Sequence, residues 1–286
     1  MGRSSHPMAG VDGFSPAEIA RLVETKGVAK VNAAMLTSLV LAVLAGAFIG
    51  LGGVLSTIAT TGSSFGFGPT KILGGLVFSL GLILVIVAGA ELFTGNTLAA
   101  MSVVDGHVST GRLLRHWVIV YLGNLIGALS IVAMVYVGDW WTQADHAVGA
   151  QALTIAAGKA SLPFAVVFVR GILANALVCL AVWLAAGGRS VTDKIIGIVF
   201  PITAFVAAGF EHSIANMYFL PIGWLVSDKA EVVSASGLSP DQLAGLDGGG
   251  VVRNIVAATL GNVVGGAVLV GLVYWFVYLR GTRATD

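Results

Sequence analysis

The sequence predicts an all-α integral membrane protein with six transmembrane helices, arranged as two inverted halves of three helices each. Three observations predict this fold: the composition, the spacing of the charged residues and an internal repeat. Of the 286 residues, 57% are hydrophobic and only 10% are charged, and the mean hydropathy is +0.94. A soluble domain has roughly 25% charged residues. The composition therefore indicates that most of the chain lies in lipid.

The same composition excludes several function classes. The net charge of +1 argues against a broad nucleic-acid surface, and the single cysteine, Cys179, excludes an internal disulfide framework. The sequence shows no metal-ligand cluster, phosphate-binding loop or dinucleotide fingerprint, so no cofactor and no metal are expected. The first 33 residues lack the apolar core and cleavage site of a signal peptide, so the N-terminus is expected to be retained.

Residues 1–30 are expected to form a cytoplasmic segment with a short surface helix. Ser15 and Glu18 have the spacing of a capping box, and Gly27 is placed to end the helix. The apolar face of this helix consists of Ile19, Leu22 and Val23. This amphipathic pattern favours a helix that packs at the membrane surface.

Stretches without charged residues define six spans within residues 31–280, which are expected to form the transmembrane domain. A membrane helix needs about 20 apolar residues. The stretches lie between Lys30 and Lys71 and over residues 72–104, 117–138, 162–188, 195–227 and 254–279. The second is interrupted only by Glu91 and the fourth only by Arg170. The fifth contains Glu211 and His212.

The basic residues predict the orientation of these spans. If the N-terminus is inside, the cytoplasmic segments contain Arg3, Arg21, Lys26, Lys30, Arg112, Arg115, Arg189, Lys194, Arg280 and Arg283. The outer segments then contain Lys71, Lys159, Lys229 and Arg253. Because basic residues are enriched in cytoplasmic loops, we expect both termini to be cytoplasmic, including the tail of residues 281–286. The expected location is the inner (plasma) membrane.

An internal repeat relates the two halves of the chain. GAELFTGN (residues 89–96) and GFEHSIAN (209–216) share G-x-E-x-x-x-x-N at an offset of 209 − 89 = 120. GNLIGA (123–128) in span three matches GNVVGG (261–266) in span six at an offset of 261 − 123 = 138. Because each half has an odd number of spans, the halves have opposite orientations. In such proteins the substrate site lies near the bilayer midplane, between broken helices.

The acidic residues of the repeat fall where spans two and five are expected to be interrupted. A break in a membrane helix exposes N–H and C=O groups that lipid cannot satisfy. Glu91 with Asn96, and Glu211 with Asn216, can supply acceptors and donors to such breaks. A direct role of these four residues in transport is the alternative. Half-helix N-termini at the breaks favour an anionic substrate.

His212 has no counterpart in the first half, where Leu92 occupies the equivalent position. A lone histidine is often a hydrogen-bonded core residue, but ionisable groups at bilayer depth usually face a pathway or a partner. This favours a role in the pathway. An intramembrane serine protease is a remote alternative, suggested by the adjacent Ser213. However, neighbouring residues on a helix point about 100° apart, and no span contains G-x-S-G.

Segments around these residues resemble the formate–nitrite transporter family. They are GAELFTGN, FSLGLIL (78–84), RGILANALVCLAVWLA (170–185), GFEHSIANMYFLPIG (209–223) and GNVVGGAVLVGLVYW (261–275). The resemblance runs from Val28 to Arg280. It implies an aquaporin-like fold assembled as a homopentamer in which each protomer has its own pore. It also implies small monovalent anions as substrates: formate, nitrite, and sometimes acetate, lactate or hydrosulfide.

The resemblance also implies roles for polar residues. The family's central pore histidine corresponds to His212, and the threonine of its first interrupted helix corresponds to Thr94. Its span-four asparagine corresponds to Asn175, and a lysine near the outer start of that span corresponds to Lys159. Arg170 departs from the formate-channel pattern, which is apolar there. Arg170 either snorkels to the outer surface or attracts anions together with Lys159.

Two apolar constrictions are implied as well. The outer one corresponds to Phe78 and Phe205. The inner one corresponds to Leu82, Leu92, Phe93 and Val178. On sequence alone, plain helix packing is the favoured interpretation of each of these residues, and only the resemblance favours the constrictions. A second departure from the formate-channel pattern is Glu91, where that subgroup has an aspartate.

These assignments lead to a hypothesis for the mechanism. A desolvated anion becomes a stronger base, because a low dielectric disfavours its charged form. His212, neutral at rest, would then join Thr94 and Asn175 in hydrogen-bonding the anion, or would pass it a proton. Formate is the expected substrate, with nitrite as the main alternative. A channel and a proton-coupled transporter stay open at this point.

Overall fold

The computed structural model describes residues 13–281, and this part of the chain contains no β-strand. Its helices are, in order, α1 (Pro16–Asn32), α2 (Met35–Thr60), α3 (Phe67–Gly89), α4 (Phe93–Val104), α5 (Thr110–Val137), α6 (Ala147–Ala160), α7 (Phe164–Gly187), α8 (Val191–Ala207), α9 (Ser213–Val226), α10 (Ala230–Ser236), α11 (Pro240–Leu243) and α12 (Gly248–Tyr278). Both α3 and α12 include a stretch of π-helix, Leu84–Gly89 and Val264–Leu272 respectively.

Within residues 13–281, five helices are long and apolar enough to cross a membrane: α2, α3, α5, α7 and α12. The predicted fifth span is divided into α8, with 17 residues, and α9, with 14 residues. Neither piece reaches the roughly 20 residues that a crossing requires. The predicted all-α membrane fold with interrupted helices is therefore confirmed.

The two interruptions occur where the repeated motif predicts them. The first separates α3 from α4 at residues 90–92, and the second separates α8 from α9 at residues 208–212. A glycine in the left-handed region accompanies each break: Gly89, the last residue of α3, with φ +88°, and Gly209, within the second break, with φ +70°. Residues with a Cβ rarely adopt this conformation, so glycine allows the chain to leave the helix abruptly at both places.

The N-terminal helix differs from the prediction at its C-terminal end. The capping box of Ser15 and Glu18 is present, but α1 continues past Gly27 to Asn32. Gly27 instead allows close packing: a Cβ there would lie 2.9 Å from Ser102 Oγ and 3.2 Å from Ala99 Cα. Its lack of a side chain therefore brings α1 against α4 rather than ending the helix.

Each half begins with a helix that precedes its first long span. In the first half this is α1, and in the second it is α6, which was expected from the sequence to lie in an outer loop. The halves also pack alike, because a Cβ on Gly127 would overlap the Val43 carbonyl and one on Gly265 would overlap the Ile172 carbonyl. These pairs are offset by 265 − 127 = 138 and 172 − 43 = 129 residues. The close contacts join α2 to α5 and α7 to α12.

Candidate functional site

The first break carries a lysine–glutamate–asparagine cluster. Lys30 Nζ lies 3.1 Å from Glu91 Oε2 and donates to Asn96 Oδ1 at 2.8 Å. Asn96 Nδ2 donates to Glu91 Oε2 at 2.6 Å. The structure thus brings Glu91 and Asn96 together, as the motif predicts, and adds a lysine from the end of α1.

The second break carries the equivalent cluster. Lys159 Nζ donates to Glu211 Oε1 at 3.0 Å, and Asn216 Nδ2 donates to Glu211 Oε2 at 2.7 Å. The Glu211 side chain is only 2% exposed, and a buried carboxylate needs both a counter-charge and hydrogen bonds. Lys159 supplies that charge from the last turn of α6, and its Nζ also lies 5.8 Å from the centroid of the Phe219 ring.

Asn124 on α5 satisfies the backbone groups of the first break. Its Oδ1 accepts from Phe93 N at 2.9 Å. Its Nδ2 donates to Ala42 O at 2.8 Å and to Glu91 O at 2.9 Å. Backbone groups that would otherwise face an apolar interior are therefore paired.

Asn262 on α12 does the same for the second break. Its Oδ1 accepts from Ser213 N at 2.8 Å, and its Nδ2 donates to Gly171 O at 2.8 Å and Glu211 O at 2.9 Å. The glutamate and asparagine side chains of the breaks were expected to satisfy the broken backbone, but they bond to each other and to lysine. The direct satisfaction of the backbone comes largely from Asn124 and Asn262.

His212 lies at the N-terminus of α9 and is 2% exposed. Its Nδ1 accepts from Ala215 N at 3.1 Å, and its Nε2 lies 2.8 Å from Thr94 Oγ1. Because Nδ1 is an acceptor, a neutral ring carries its proton on Nε2 and donates it to Thr94. The hydroxyl proton of Thr94 is then available to a further acceptor. Neither ring nitrogen bonds to Ser213, so the arrangement gives no support to a protease.

The polar centre breaks the symmetry between the halves. Thr94 is equivalent to Ile214 and His212 to Leu92, at the offset of 214 − 94 = 212 − 92 = 120 residues. The lysine–glutamate–asparagine clusters occur in both halves, whereas this threonine–histidine pair occurs once. The clusters therefore belong to the repeated part of the structure, and the threonine–histidine pair distinguishes its centre.

Seven apolar side chains and His212 line a small central cavity, here called the chamber. The lining residues are Ile49, Phe78, Leu82, Leu92, Val178, Ile202, Phe205 and His212. The Phe78 and Phe205 rings meet edge to face, with their centroids 5.9 Å apart. The centroids of the Phe205 and His212 rings are 5.8 Å apart. The chamber has a volume of about 10 Å³, room for about one water molecule. Five of the predicted constriction residues thus surround the histidine.

A vestibule lies on each side of this chamber. The first has a volume of about 180 Å³, and its lining includes Lys71, Lys159, Phe205 and His212. The second has a volume of about 450 Å³, and its lining includes Lys26, Lys30, Lys194 and Glu91. Burial, together with the charges of Lys194 and Lys30, lowers the pKa of Lys26 below its ordinary value. Converging lysines make both vestibules suitable for anions.

Five predicted residues line none of these three cavities: Phe93, Thr94, Arg170, Asn175 and Glu211. The Phe93 ring packs edge to face on Trp117 and Tyr121, at 6.1 and 5.0 Å, so it lies against α5. Asn175 Nδ2 donates to Thr94 O, Thr97 Oγ1 and Asn262 O, which ties α7 to α4 and α12. Arg170 Nη1 lies 3.5 Å from Gly209 O, beside the second break.

Several residues that complete the site were not predicted from the sequence. In the sequence, Lys30 is notable only for its charge. Asn124 and Asn262 are notable only as parts of the repeated GN motif, which was the signal that could have identified them as site residues. His116 Nε2 lies 3.1 Å from Asn96 Nδ2, and at the equivalent position (254 − 116 = 138) Asn254 Oδ1 accepts from Asn216 at 2.7 Å. The sequence does not reveal this equivalence, because the first half has histidine where the second half has asparagine.

Comparison with known proteins agrees with this architecture. The family described as formate/nitrite transporter matches residues 17–276. The chain is 41% identical over 269 residues to the formate channel FocA of Escherichia coli (strain K12), and the match covers 93% of this chain and 94% of that protein. It is 38% identical over 283 residues to a probable formate transporter of Methanothermobacter thermautotrophicus, with 93% of this chain and 97% of that protein covered.

A solved structure described as a pentameric formate channel with formate bound has a similar fold. It is 39% identical in sequence with a TM-score of 0.77, and the match covers 86% of this chain and 98% of that one. Coverage of this extent includes parts of both halves of the repeat in a single alignment. The chain is a multi-pass membrane protein that belongs to the formate/nitrite transporter family.

Proposed function

We propose that the protein is a transmembrane channel or transporter for small monovalent anions, with formate as its substrate. The observation that carries this proposal is the buried pair of His212 and Thr94. His212 of this pair lines an apolar chamber between two vestibules with lysines. The formate channels among its relatives, and the formate-bound structure that it resembles, support the choice of formate. Under this proposal the protein moves its substrate without chemical conversion and is not an enzyme.

In the proposed pathway an anion first enters the vestibule that contains Lys71 and Lys159. A lysine there raises the local anion concentration, an effect that salt weakens. The charge of Lys159 is opposed by Glu211 at 3.0 Å, so its contribution is smaller than that of an isolated ammonium group. Arg170 is assigned to supporting the second break through the Gly209 carbonyl rather than to attracting anions.

The chamber is the barrier in this proposal. Removing water from an anion is expensive unless hydrogen bonds replace it, and apolar constrictions gate ion pathways by excluding water. Formate has three heavy atoms, so a chamber with room for about one water molecule must widen by side-chain movement. Phe78 and Phe205 form the outer constriction, and Leu82, Leu92 and Val178 form the inner one.

In this proposal, hydrogen bonding by His212 and Thr94 replaces the hydrogen bonds that the anion loses with its water. With Nδ1 held by Ala215 N, the Nε2 proton of His212 polarises the Thr94 hydroxyl, which donates its own proton to a formate oxygen. Hydrogen bonds to charged groups contribute about 1.5–3 kcal/mol each. This donor role needs no change in the charge of the ring. Asn175 positions Thr94 through the contact to its carbonyl.

Proton-coupled transport is the second candidate mode. Passing a proton to the anion requires His212 to gain a second proton, which would release the Ala215 N–H from Nδ1. The resulting neutral acid would cross the inner apolar barrier more easily than an anion. The hydrogen bond between Ala215 and Nδ1 favours the donor mode at rest and makes proton transfer conditional on movement at the start of α9.

The arrangement in the membrane is also part of the proposal. The proposed chain crosses the membrane six times, with α3–α4 and α8–α9 as broken elements, and both of its termini lie in the cytoplasm. It assembles as a homopentamer with one pore per protomer. These features are inferred from the basic-residue asymmetry and from the pentameric relative. The bilayer of the inner (plasma) membrane is the proposed location. The vestibule with Lys30 then faces the cytoplasm, and the one with Lys159 faces outward.

Uptake by proteoliposomes tests the function directly. The purified protein is reconstituted and challenged with labelled formate, nitrite, lactate or hydrosulfide at several external pH values. We expect formate uptake well above that of protein-free liposomes, and slower entry of the bulkier lactate. Faster uptake of nitrite than of formate would contradict the substrate assignment but leave anion transport standing. Absence of uptake for all four anions would contradict the proposed function itself.

A further inference from the structure

A second cluster of chemically reactive side chains lies apart from the pathway. Glu24 on α1, and Asp105 and His107 in the turn between α4 and α5, bring one ligand atom each to within 4.8 Å of the others. The sequence does not predict this cluster, because Glu24 and Asp105 are 105 − 24 = 81 residues apart. We propose that these three residues form a binding site for a divalent transition-metal ion of the Zn²⁺ class.

The spacing of the ligand atoms supports a shared ion. His107 Nε2 lies 3.8 Å from Glu24 Oε1 and 3.5 Å from Asp105 Oδ2. Direct hydrogen bonds would be about 2.7–2.9 Å long. Two ligands about 2.0–2.1 Å from a tetrahedral zinc ion lie roughly 3.4 Å apart. Both separations are longer than a direct hydrogen bond. The one to Asp105 matches the spacing around a tetrahedral ion, and the one to Glu24 is about 0.4 Å longer than that spacing.

The type of ligand selects the class of ion. One imidazole and two carboxylates form a mixed nitrogen and oxygen set, which suits zinc and its neighbours better than Ca²⁺ or Mg²⁺, whose ligands are oxygens. The His107 side chain is about half exposed, whereas those of Glu24 and Asp105 are mostly buried. An ion can therefore enter from solvent on the histidine side and bind with water completing its coordination.

The backbone around the ligands is held in place by Ser102. The Ser102 carbonyl accepts from His107 N at 2.9 Å and from Val108 N at 3.2 Å. The Ser102 hydroxyl donates to the Glu24 carbonyl at 3.2 Å. Gly106, with φ +76°, forms the tight turn that sets Asp105 and His107 beside each other. Ligands on such fixed supports need little reorganisation when an ion binds.

Trp275 orients one ligand from outside the cluster. Its Nε1 donates to Asp105 Oδ1 at 3.2 Å, so the other carboxylate oxygen, Oδ2, faces His107. Hydrogen bonds of this kind fix the orientation of metal ligands and commonly change affinity by about 10–100-fold when removed. An ion at this site would tie α1 to the α4–α5 turn and, through Trp275, to α12. Because α1 carries Lys26 and Lys30, the ion would also fix one wall of the larger vestibule.

Zinc binding by the full-length, tag-free protein in detergent tests the proposal. After treatment with a chelator and its removal, we expect one Zn²⁺ per chain in competition with a chromophoric zinc indicator. His107→Ala, Glu24→Gln and Asp105→Asn should each weaken binding by at least about tenfold. Trp275→Phe should give a smaller loss. His146→Ala is the control, because the His146 ring lies beside Trp141, with the ring centroids 5.7 Å apart, away from the cluster. This variant should bind zinc like the wild type.

A stability measurement separates binding from misfolding. Zinc should raise the thermal midpoint of the wild type, because a ligand that binds only the folded state stabilises it. It should not raise the midpoint of His107→Ala, whose zinc-free midpoint and oligomer size should match those of the wild type. The absence of stoichiometric zinc in the wild type would overturn the proposal. So would unchanged binding in all three ligand variants, since the ion would then be bound elsewhere.

Discussion

At the residue scale, His212 serves two purposes through its two ring nitrogens. Nδ1 caps α9 by accepting from Ala215 N, and Nε2 contacts Thr94 on the other broken element. This explains why the histidine stands at a helix break and not within a helix. One side chain both stabilises the start of α9 and presents a fixed donor at the centre of the fold.

The Phe205 side chain provides a test of the outer constriction. Phe205 is 3% exposed and contacts both Phe78 and His212, so Phe205→Ala should widen the chamber and admit lactate. Phe200→Ala is the matched control on the same helix, because Phe200 is 72% exposed. Lactate entry into proteoliposomes should rise for the first variant and not for the second. Unchanged lactate entry in Phe205→Ala would assign this ring to packing alone.

Some site residues could be predicted from the sequence and others could not. His212, Thr94 and Leu92 lie in the repeated motif, which predicts the helix breaks. The constriction residues Phe78, Leu82, Val178 and Phe205 lie outside it and were expected only from the family resemblance. Phe93 is the first residue of α4, and its side-chain direction depends on the torsion angles of the break, which no motif specifies. Asn175 was expected to bind the anion, but the structure shows its amide donating to three neighbouring oxygens.

At the scale of elements, the breaks depend on partners from other helices. The Lys159–Glu211 pair joins α6 to the start of α9, and its carboxylate side is almost fully buried. Lys159→Met should therefore destabilise the protein by about 3 kcal/mol, because it leaves a buried charge unpaired. The double variant Lys159→Met/Glu211→Gln should recover much of this loss. Thermal unfolding in detergent measures both. Equal destabilisation by the single and double variants would show that the pair is not coupled.

The glycine contacts between long helices make a separate prediction. Gly265→Ala places a methyl group against the Ile172 carbonyl, which should force α7 and α12 apart and cost about 1–3 kcal/mol. Gly158→Ala on α6 is the control, because a Cβ at that position would meet no neighbouring atom within 4 Å. It should be neutral or slightly stabilising. A Gly265→Ala protein as stable as the wild type would mean that the helices need not approach so closely.

The long apolar elements could be predicted because lipid imposes a length and a polarity on each span. Helix α6 could not be predicted, because its 14 residues are rich in alanine and glycine and have neither the length of a span nor a strong polar face. Its place becomes evident only beside α1, its equivalent in the other half. The end of α1 was wrongly predicted at Gly27 because close helix packing and helix termination both use glycine.

At the scale of the whole molecule, two similar halves support one asymmetric centre. The lysine–glutamate–asparagine clusters recur in both halves, whereas the Thr94–His212 pair occurs once. In the proposed topology, the opposite orientations of the halves place one vestibule on each side of the membrane. Duplication thus accounts for the scaffold, and substitutions at a few positions account for the chemistry of the centre.

Cysteine labelling tests the orientation of the molecule. In a Cys179→Ala background, Asp241→Cys lies on α11 and Arg112→Cys near the start of α5, and both positions are exposed. A membrane-impermeant maleimide added to intact cells should label position 241 and should reach position 112 only after permeabilisation. We expect this labelling pattern because basic residues are enriched in the segments that are proposed to be cytoplasmic. The reverse pattern would invert the proposed topology.

The most direct test of the central claim compares formate uptake by the wild type and His212→Asn in proteoliposomes over a range of external pH. Asparagine is a good N-cap, so the variant should keep the cap on α9, assemble normally and lose only the contact to Thr94. The account predicts uptake about tenfold slower, as expected for roughly 1.4 kcal/mol of lost stabilisation. If the proton-coupled mode operates, the variant should also lose the pH dependence of the wild type. A variant with the rate and pH profile of the wild type would contradict passage of formate past His212.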